Sequence, residues 1–372
     1  MRKIMYITGT RADYGLMRNT LKLLNSETEL TVVACGMHIM EEFGLSINHI
    51  KEDGFRLLTV DQIFKEDNKA SMSEFIGNTI CDLTKIMVKE KPDLVLLLGD
   101  RGEMLAGATV ASYLNIPIAH IHGGDISSTV DDSARHAITK LANIHLPATL
   151  KSAQRIIQMG ENPENVFVVG APGLDDITAK KDKFDLNMLK NKYSITKPLI
   201  LVLQHPVNLK NASYQMNETL KALDTSENDV IAVYPNADAG GRSMINEIKK
   251  YPQIKAYKTI ARDDFIGLLS MATVLIGNSS SGIIESGSFK LPVINIGTRQ
   301  EGRERACNVI DVDYSSKEIE EALEIIKTEE FKEMLENIEN PYGNGTASIN
   351  ITEILKNIDL NEDLLNKRFY EV

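Results

Sequence analysis

The chain has 372 residues, which at roughly 150 per domain suggests two domains. Hydrophobic residues make up 43% and charged residues 25%, globular proportions that leave apolar surface for sizeable cores. The net charge of −11 argues against a nucleic-acid or anionic-membrane binder, while leaving room for a local basic pocket that holds an anion. The longest apolar runs, Leu94 to Leu98 and Leu199 to Leu203, are too short to span a bilayer. Met1-Arg2-Lys3-Ile4 leads into a strand-like run rather than a secretory h-region. Cys35, Cys81 and Cys307 form neither a disulfide framework nor a zinc spacing. A soluble cytoplasmic protein is expected.

Short apolar runs alternate with longer amphipathic stretches. The first strands are predicted at Ile4–Thr8, Thr31–Ala34, Leu94–Leu98, Ile116–Ile121 and Val166–Val169. A second set follows at Leu199–Leu203, Val230–Tyr234, Val274–Ile276 and Val293–Ile296. Runs apolar on both faces and separated by helical segments are the pattern of buried parallel strands. The fold class is therefore α/β with right-handed crossovers. The charged stretch between Leu174 and Pro198 marks a junction, and the turn-rich Asn340-Pro341-Tyr342-Gly343-Asn344-Gly345 marks a second. A last helix is expected from Ala347 to Ile358. No solenoid-type repeat is present; the larger similarity is two strand–helix halves, which as two Rossmann-like domains would enclose a cleft.

In an open parallel sheet, ligands bind beyond the carboxyl ends of the strands. Ile4–Thr8 is followed by Gly9-Thr10-Arg11-Ala12-Asp13-Tyr14-Gly15, a tight turn that offers a helix N-terminus to an anion or simply joins two elements. It is not G-x-G-x-x-G, so a nicotinamide cofactor gains no support. Leu94–Leu98 ends in Gly99-Asp100-Arg101. Ile116–Ile121 leads into His120-Ile121-His122-Gly123-Gly124-Asp125, and strand alternation would turn His120 and His122 to one face. A helix is then expected from about Thr129, on which Asp131 with Arg135, and Asp132 with His136, are i,i+4 neighbours. A solvated face with two ion pairs explains those charges less well than a site, because they directly follow a His- and Gly-rich strand end. His120, His122, Asp125 and His136 also have the chemistry of zinc or manganese ligands, a weaker reading since no second carboxylate cluster accompanies them.

In the second half the strand ends read Gln204-His205-Pro206, Pro235-Asn236-Ala237-Asp238 and Gly277-Asn278-Ser279-Ser280-Ser281-Gly282-Ile283-Ile284-Glu285. Small residues let a diphosphate approach the backbone, and serine hydroxyls add donors at a helix N-terminus. Glu285, a turn further on, is placed to accept from two ribose hydroxyls. An ordinary serine N-cap is the plain alternative. No lysine follows the glycine, so this is not a Walker A loop. Val293–Ile296 ends in Gly297-Thr298-Arg299, repeating residues 9 to 11. One arginine after the same kind of strand in each half would clamp an anion. Tyr14, Tyr234 and Tyr257 are read as packing residues.

Taken in order, several stretches resemble the hydrolysing nucleotide-sugar 2-epimerases. They are Gly9-Thr10-Arg11-Ala12-Asp13, Gly99-Asp100-Arg101, residues 126–142 and Gln204-His205-Pro206, then Pro235-Asn236-Ala237-Asp238-Ala239-Gly240, Gly277-Asn278-Ser279-Ser280 and Asn295-Ile296-Gly297-Thr298-Arg299-Gln300. The resemblance runs through nearly the whole chain. Non-hydrolysing cousins typically carry Gly-Thr-Arg-Pro-Glu and Gly-Asp-Thr at the first two loops, whereas this chain has Ala12-Asp13 and Arg101 there.

The resemblance implies a GT-B arrangement: residues 1–175 as a Rossmann-like domain carrying sugar and acid/base residues, 176–345 as the nucleotide domain, and 346–372 as a helix and tail crossing back to the first. It implies conversion of UDP-N-acetylglucosamine and water to UDP and N-acetylmannosamine for sialic-acid synthesis, with no cofactor or metal, in a homodimer or homotetramer. Departure of UDP from C1 acidifies the C2 proton, its removal leaves a glycal, and water at C1 with a proton on the opposite face of C2 completes the inversion. By motif position, Arg11, His205, Asn236, Ser279, Ser280, Glu285 and Arg299 would hold the nucleotide. Arg101 would lie by the phosphates or the sugar, with Asp132, Arg135 and His136 also toward substrate. Asp100 and Asp131 match the acid/base carboxylates. Many members have His-Ile-Glu-Gly-Gly-Glu where this chain has His120-Ile121-His122-Gly123-Gly124-Asp125. Either His122 is itself the base, the preferred reading, or Asp100 or Asp131 carries the exchange alone, or the substrate differs around C2 or C3.

Other readings use parts of the same pattern. The same reaction on another acetamido sugar such as diacetylbacillosamine, a non-hydrolysing epimerase and a GT-B glycosyltransferase share the nucleotide seat. A metal-dependent phosphoesterase and a catalytically inactive nucleotide-sugar sensor stand further off.

Overall fold

The computed structural model describes residues 1–41, 45–63, 69–126, 131–180, 183–207, 210–223, 226–235 and 240–371, with only the backbone at Lys69 and Asp131. Two compact units divide it: 1–175 with 342–372, and 176–341. The first carries β1 (Lys3–Thr8), α1 (Arg11–Glu27), β2 (Glu29–Ala34), α2 (Ile47–Glu52), β3 (Arg56–Thr59), α3 (Lys69–Glu90), β4 (Leu94–Leu98) and α4 (Gly102–Tyr113). It continues through β5 (Ile118–Ile121), α5 (Asp131–Leu141), β6 (Ile144–Leu146) and α6 (Leu150–Gln158) to α7 (Gly173–Lys180), which runs across the boundary. The second carries α8 (Leu186–Lys192), β7 (Leu199–Leu203), α9 (Ala212–Lys221), β8 (Asp229–Val233), α10 (Gly241–Ile248), β9 (Lys255–Tyr257) and α11 (Arg262–Met271). Then come β10 (Ala272–Gly277), α12 (Ser280–Ile284), β11 (Val293–Ile296), β12 (Val309–Val312), α13 (Ser316–Ile325) and α14 (Glu329–Glu336). Back in the first unit are α15 (Ala347–Asn357) and α16 (Glu362–Leu365). No described helix is long and apolar enough to cross a membrane.

Both sheets are parallel and have the same topology, β3-β2-β1-β4-β5-β6 and β9-β8-β7-β10-β11-β12. In each, the strand order reverses between the first and fourth strands, β1 and β4 or β7 and β10, where the chain loops diverge and ligands bind. Alternate residues of each strand face opposite layers. Ile4 and Tyr6 of β1 join the core with α1 and α15, while Met5 and Ile7 join the one with α4. Val202 and Leu201 of β7 are divided likewise in the second unit. Central strands are therefore apolar without alternation. The C-terminal segment is tied down by α15 on α1, where the Ser348 and Thr20 hydroxyls lie 2.8 Å apart. The chain re-enters the first unit at Tyr342, ahead of the expected residue 346. Its carbonyl already accepts from the Ala171 N–H at 2.8 Å.

Two predicted elements need correction. Val166–Val169 is no strand: Val166 makes an isolated bridge to His145. Phe167 and Val169 donate to the His145 and Pro147 carbonyls at 2.9 and 3.0 Å, but Pro147 has no N–H to return. Strand β5 begins at Ile118 rather than Ile116, because Pro117 precedes it. Strands β3, β6, β9 and β12 were not predicted. The expected helix start at Thr129 lies outside the described residues, and α5 is described from Asp131. Tyr14 packs as expected, buried with its hydroxyl donating to Asp53 at 2.5 Å.

Candidate active site

The polar loops follow β1, β4 and β5 in the first unit and β7, β10 and β11 in the second. After β1, Thr10 caps α1, its hydroxyl accepting from the Asp13 N–H at 3.2 Å. Asp13 accepts from the Gly9 and Thr10 N–H groups at 3.0 and 3.1 Å, and from the Thr8 hydroxyl. Asp13 thus builds the loop, and burial pushes its carboxyl up to about 6 despite those bonds. Arg11 opens α1 and is exposed. Beneath the loop lies Glu103, 2% exposed, in space left by two glycines. A Cβ on Gly9 or Gly36 would come within 2.6 or 2.8 Å of its Oε1. The same oxygen lies 3.3 Å from Nη2 of Arg101, so a buried carboxylate sits behind a half-exposed guanidinium.

After β4, Gly99 takes a left-handed φ of +78° and Asp100 follows. Arg135 of α5, 3% exposed, joins three groups. One terminal nitrogen pairs with Asp100, and the other donates to Asp132 Oδ1 at 2.7 Å and to the Asp125 carbonyl at 2.9 Å. Both aspartate side chains remain 24% exposed, so their carboxylates are held from behind and still face solvent. Asp132 therefore pairs three residues along the helix with Arg135, not four along with His136 as expected. Among the described residues the Nδ1 of His136 has no hydrogen-bond partner. Asp131 opens α5, and its side chain lies outside the described atoms.

His120 and His122 do not share a face. His120 is buried on β5, and its Nε2–H donates to the Gly99 carbonyl at 2.7 Å. Its Nδ1 lies 3.3 Å from the Thr139 hydroxyl of α5. Burial pushes this imidazole down to about 3, so it is neutral at ordinary pH. With both nitrogens engaged, His120 is no metal ligand. His122 lies one residue beyond β5, half-buried, with a φ of +61° that ends the alternation and that few non-glycine residues adopt. Its N–H donates to the Leu146 carbonyl at 3.2 Å. Gly124 follows at φ +73°, where a Cβ would strike the Ser152 carbonyl, and Arg155 donates to the Gly124 carbonyl at 2.7 Å. Among the described residues no three His, Cys, Asp or Glu side chains gather as a metal site.

In the second unit the hub is Asn278, 0% exposed. Its side chain accepts from the His205 N–H at 2.7 Å and donates to the His205 carbonyl at 2.9 Å, locking the loop after β7 to the loop after β10. Its carbonyl accepts from Gln300 at 2.9 Å and Arg299 at 3.2 Å, which draws in the loop after β11. Gly277, at φ +138°, allows this approach, since a Cβ there would strike the Leu203 carbonyl. Ser279 caps α12, its hydroxyl accepting from Ser281 N–H at 3.4 Å, and Ser280 begins the helix. Glu285 is 6% exposed, with each carboxylate oxygen 3.0 Å from Nη1 of Arg262. Asn236 lies outside the described residues.

Sequence reasoning missed Glu103, Thr139, Arg262 and Gln300 as supporting residues. Glu103 was detectable two positions after Arg101. Arg262 carries no local signal, because its partner lies 23 residues away.

Two Rossmann-like parallel-sheet domains, each with polar loops at its switch point, define a GT-B α/β enzyme fold. Residues 22–356 match the family model of UDP-N-acetylglucosamine 2-epimerase. The chain is 41% identical over 99% of both lengths to the Legionella pneumophila UDP-N,N'-diacetylbacillosamine 2-epimerase (hydrolyzing). It is 34% identical, over 87% of each chain, to the UDP-N-acetylglucosamine 2-epimerase of Neisseria meningitidis serogroup B. In fold it is similar to the crystal structure of a Neisseria meningitidis UDP-GlcNAc 2-epimerase bound to UDP-GlcNAc, with TM-score 0.81 at 21% identity over 95% of this chain and 99% of that one. The chain belongs to the UDP-N-acetylglucosamine 2-epimerase family, as a hydrolysing 2-epimerase.

Proposed function

We propose that this enzyme converts UDP-N,N'-diacetylbacillosamine and water to UDP and the free C2-epimeric diacetamido sugar. The observation that carries this reading is the 41% identity, over 99% of both chains, to a hydrolysing enzyme named for that substrate. UDP-N-acetylglucosamine, the substrate implied by the resemblance, has the weaker support of 34% identity over 87%.

In the proposed reaction the C1–O bond breaks, UDP leaves with the electron pair, and a base takes the C2 proton to give a glycal. Water then bonds to C1 and an acid protonates C2 on the other face. Asp100, held by Arg135, and Asp131 are assigned the proton transfers together with His122, since an imidazole can both accept and donate a proton. Arg101 is assigned to the phosphates or the sugar, and Asp132, Arg135 and His136 to the substrate on the first-unit side. Arg11, His205, Asn236, Ser279, Ser280, Glu285 and Arg299 are assigned to UDP, with charge-assisted bonds to the diphosphate. Self-association into a homodimer or homotetramer belongs to the same reading.

The test is kcat/KM for the two UDP-sugars, measured by release of UDP. A preference of about tenfold or more for the diacetamido sugar is expected, since a site built to bond a second acetamido group is left with unpaired polar groups by the 4-hydroxyl sugar. Preference for UDP-N-acetylglucosamine would overturn the substrate assignment and leave the reaction class standing.

A further inference from the structure

The helix that carries Asp131, Asp132 and Arg135 is gripped at its far end by the C-terminal tail. A helix leaves its last carbonyls without partners, and a cation there is favoured by the helix dipole. In α5 the Ile138 carbonyl is taken by the Ala142 N–H at 2.8 Å. The next ones turn to Lys367, whose ammonium donates to the carbonyls of Lys140 at 2.6 Å, Ala142 at 2.7 Å and Thr139 at 3.3 Å. The same nitrogen lies 2.6 Å from Glu161, a carboxylate 1% exposed. Glu161 also receives Lys140 of α5 at 2.5 Å and the His145 Nε2–H of β6 at 3.0 Å.

The tail is anchored on both sides of Lys367. Before it, the Asn143 amide donates to the Leu364 carbonyl at 2.9 Å. After it, the Tyr370 N–H donates to the Gly160 carbonyl at 2.9 Å. The Phe369 ring lies over Gly160, where any Cβ would collide with it, and 5.2 Å from the Lys140 ammonium. None of this is needed to complete the sheet, because β6 already closes that edge. Its contacts fall instead on the C-terminal end of α5. Arg135 lies on that helix one turn from Thr139, whose hydroxyl donates to the Arg135 carbonyl at 3.0 Å.

We propose that Lys367 is a positioning residue for catalysis, a tail cation that sets α5 so that Arg135 holds Asp100 where the sugar reacts. The inference rests on the proposed hydrolysing epimerisation. Its mechanical half can be read without any substrate.

The test uses the full chain with Lys367→Met, which keeps the apolar stem and removes the charge, and Lys367→Arg, which restores donors. In Lys367→Met the amides of α5 should exchange hydrogen about tenfold faster, with those of α4 and of the second unit unchanged. The value of kcat should fall about tenfold or more, with KM and the Kd for UDP within about threefold, and the Arg variant should recover most of it. Exchange in α5 unchanged, or kcat within about twofold of the parent, would overturn the proposal. So would a loss spread evenly over the unit that Arg does not rescue. Should the parent protein turn over no UDP-sugar, the reaction assignment fails, and exchange confined to α5 still decides whether the tail clamps that helix.

Discussion

Arg135 pairs with the Asp100 carboxylate from behind while Asp100 keeps 24% of its side chain open to solvent. A guanidinium with two usable edges does this because its second terminal nitrogen is held by Asp132 and by the Asp125 carbonyl. Lysine has one donor centre and cannot span three acceptors in a plane. Arg135→Lys should lower kcat by about 100-fold while leaving UDP affinity within about twofold, because the Arg135 guanidinium is taken up by Asp100, Asp132 and the Asp125 carbonyl, and the residues assigned to UDP, Arg11 apart, belong to the second unit. Steady-state kinetics with UDP titration by calorimetry checks it. An equal loss in both would place Arg135 in nucleotide binding.

The nucleotide loops depend on Asn278. Asn278→Ala removes the two side-chain bonds to His205, each worth about 1 kcal/mol, and takes the Asn278 partner from the His205 N–H and carbonyl. UDP should bind about tenfold more weakly and the melting temperature should fall by a few degrees. Unchanged UDP affinity in a folded variant would remove this loop from the nucleotide seat.

His122 has the stereochemistry of a placed residue, left-handed at φ +61° immediately beyond β5. Such conformations in non-glycine residues collect at functional sites. His122→Gln keeps a polar side chain without a nitrogen that can take up a proton. It should lower kcat by about 100-fold or more and change the shape of the pH–rate profile, because the amide exchanges no proton. Full turnover in this variant would return the proton transfers to the aspartates.

Stability should weaken in two stages as pH falls. His120 titrates near 3 in the fold against 6.5 unfolded, because burial disfavours its cation. A depressed pKa means its contribution is complete above pH 6.5 and is lost as pH falls toward the folded value, at about 1.4 kcal/mol per unit. Glu161 is held down to about 2 from 4.5 by its bonds to His145, Lys140 and Lys367, which outweigh its burial. Its contribution is complete above pH 4.5 and is lost below that. Asp13, raised to about 6, works in the opposite sense and is most favourable in acid. Urea midpoints should therefore fall between about pH 6.5 and pH 5, because His120 and His38, which burial likewise holds down to about 4, together outweigh Asp13, and His120→Asn should lessen that fall without removing the steeper loss below about pH 4.5. A midpoint that rises across the first interval would contradict the assignment.

The central strands were legible in the sequence because both of their faces are buried, giving runs such as Leu94–Leu98 with no polar residue. The four strands that escaped notice, β3, β6, β9 and β12, all lie next to or at a sheet edge. Arg56-Leu57-Leu58-Thr59 and Lys255-Ala256-Tyr257 are short and half-exposed, so burial there does not demand an apolar run. In the site, residues adjacent in sequence to a strand end were legible. The ones that hold them were not, since Arg135 to Asp100, Arg262 to Glu285 and Lys367 to α5 are tertiary pairings with no local spacing. The shared face expected for His120 and His122 failed because strand alternation stops at Ile121.

The most direct measurement is proton NMR of the protein with UDP-N,N'-diacetylbacillosamine in D2O, with no added metal or acceptor. Free UDP together with the free C2-epimer, carrying deuterium at C2, is the expected outcome, since glycal formation exchanges that proton with solvent. A UDP-linked epimer accumulating in place of free UDP would contradict hydrolysis, and free UDP with hydrogen retained at C2 would contradict the elimination step.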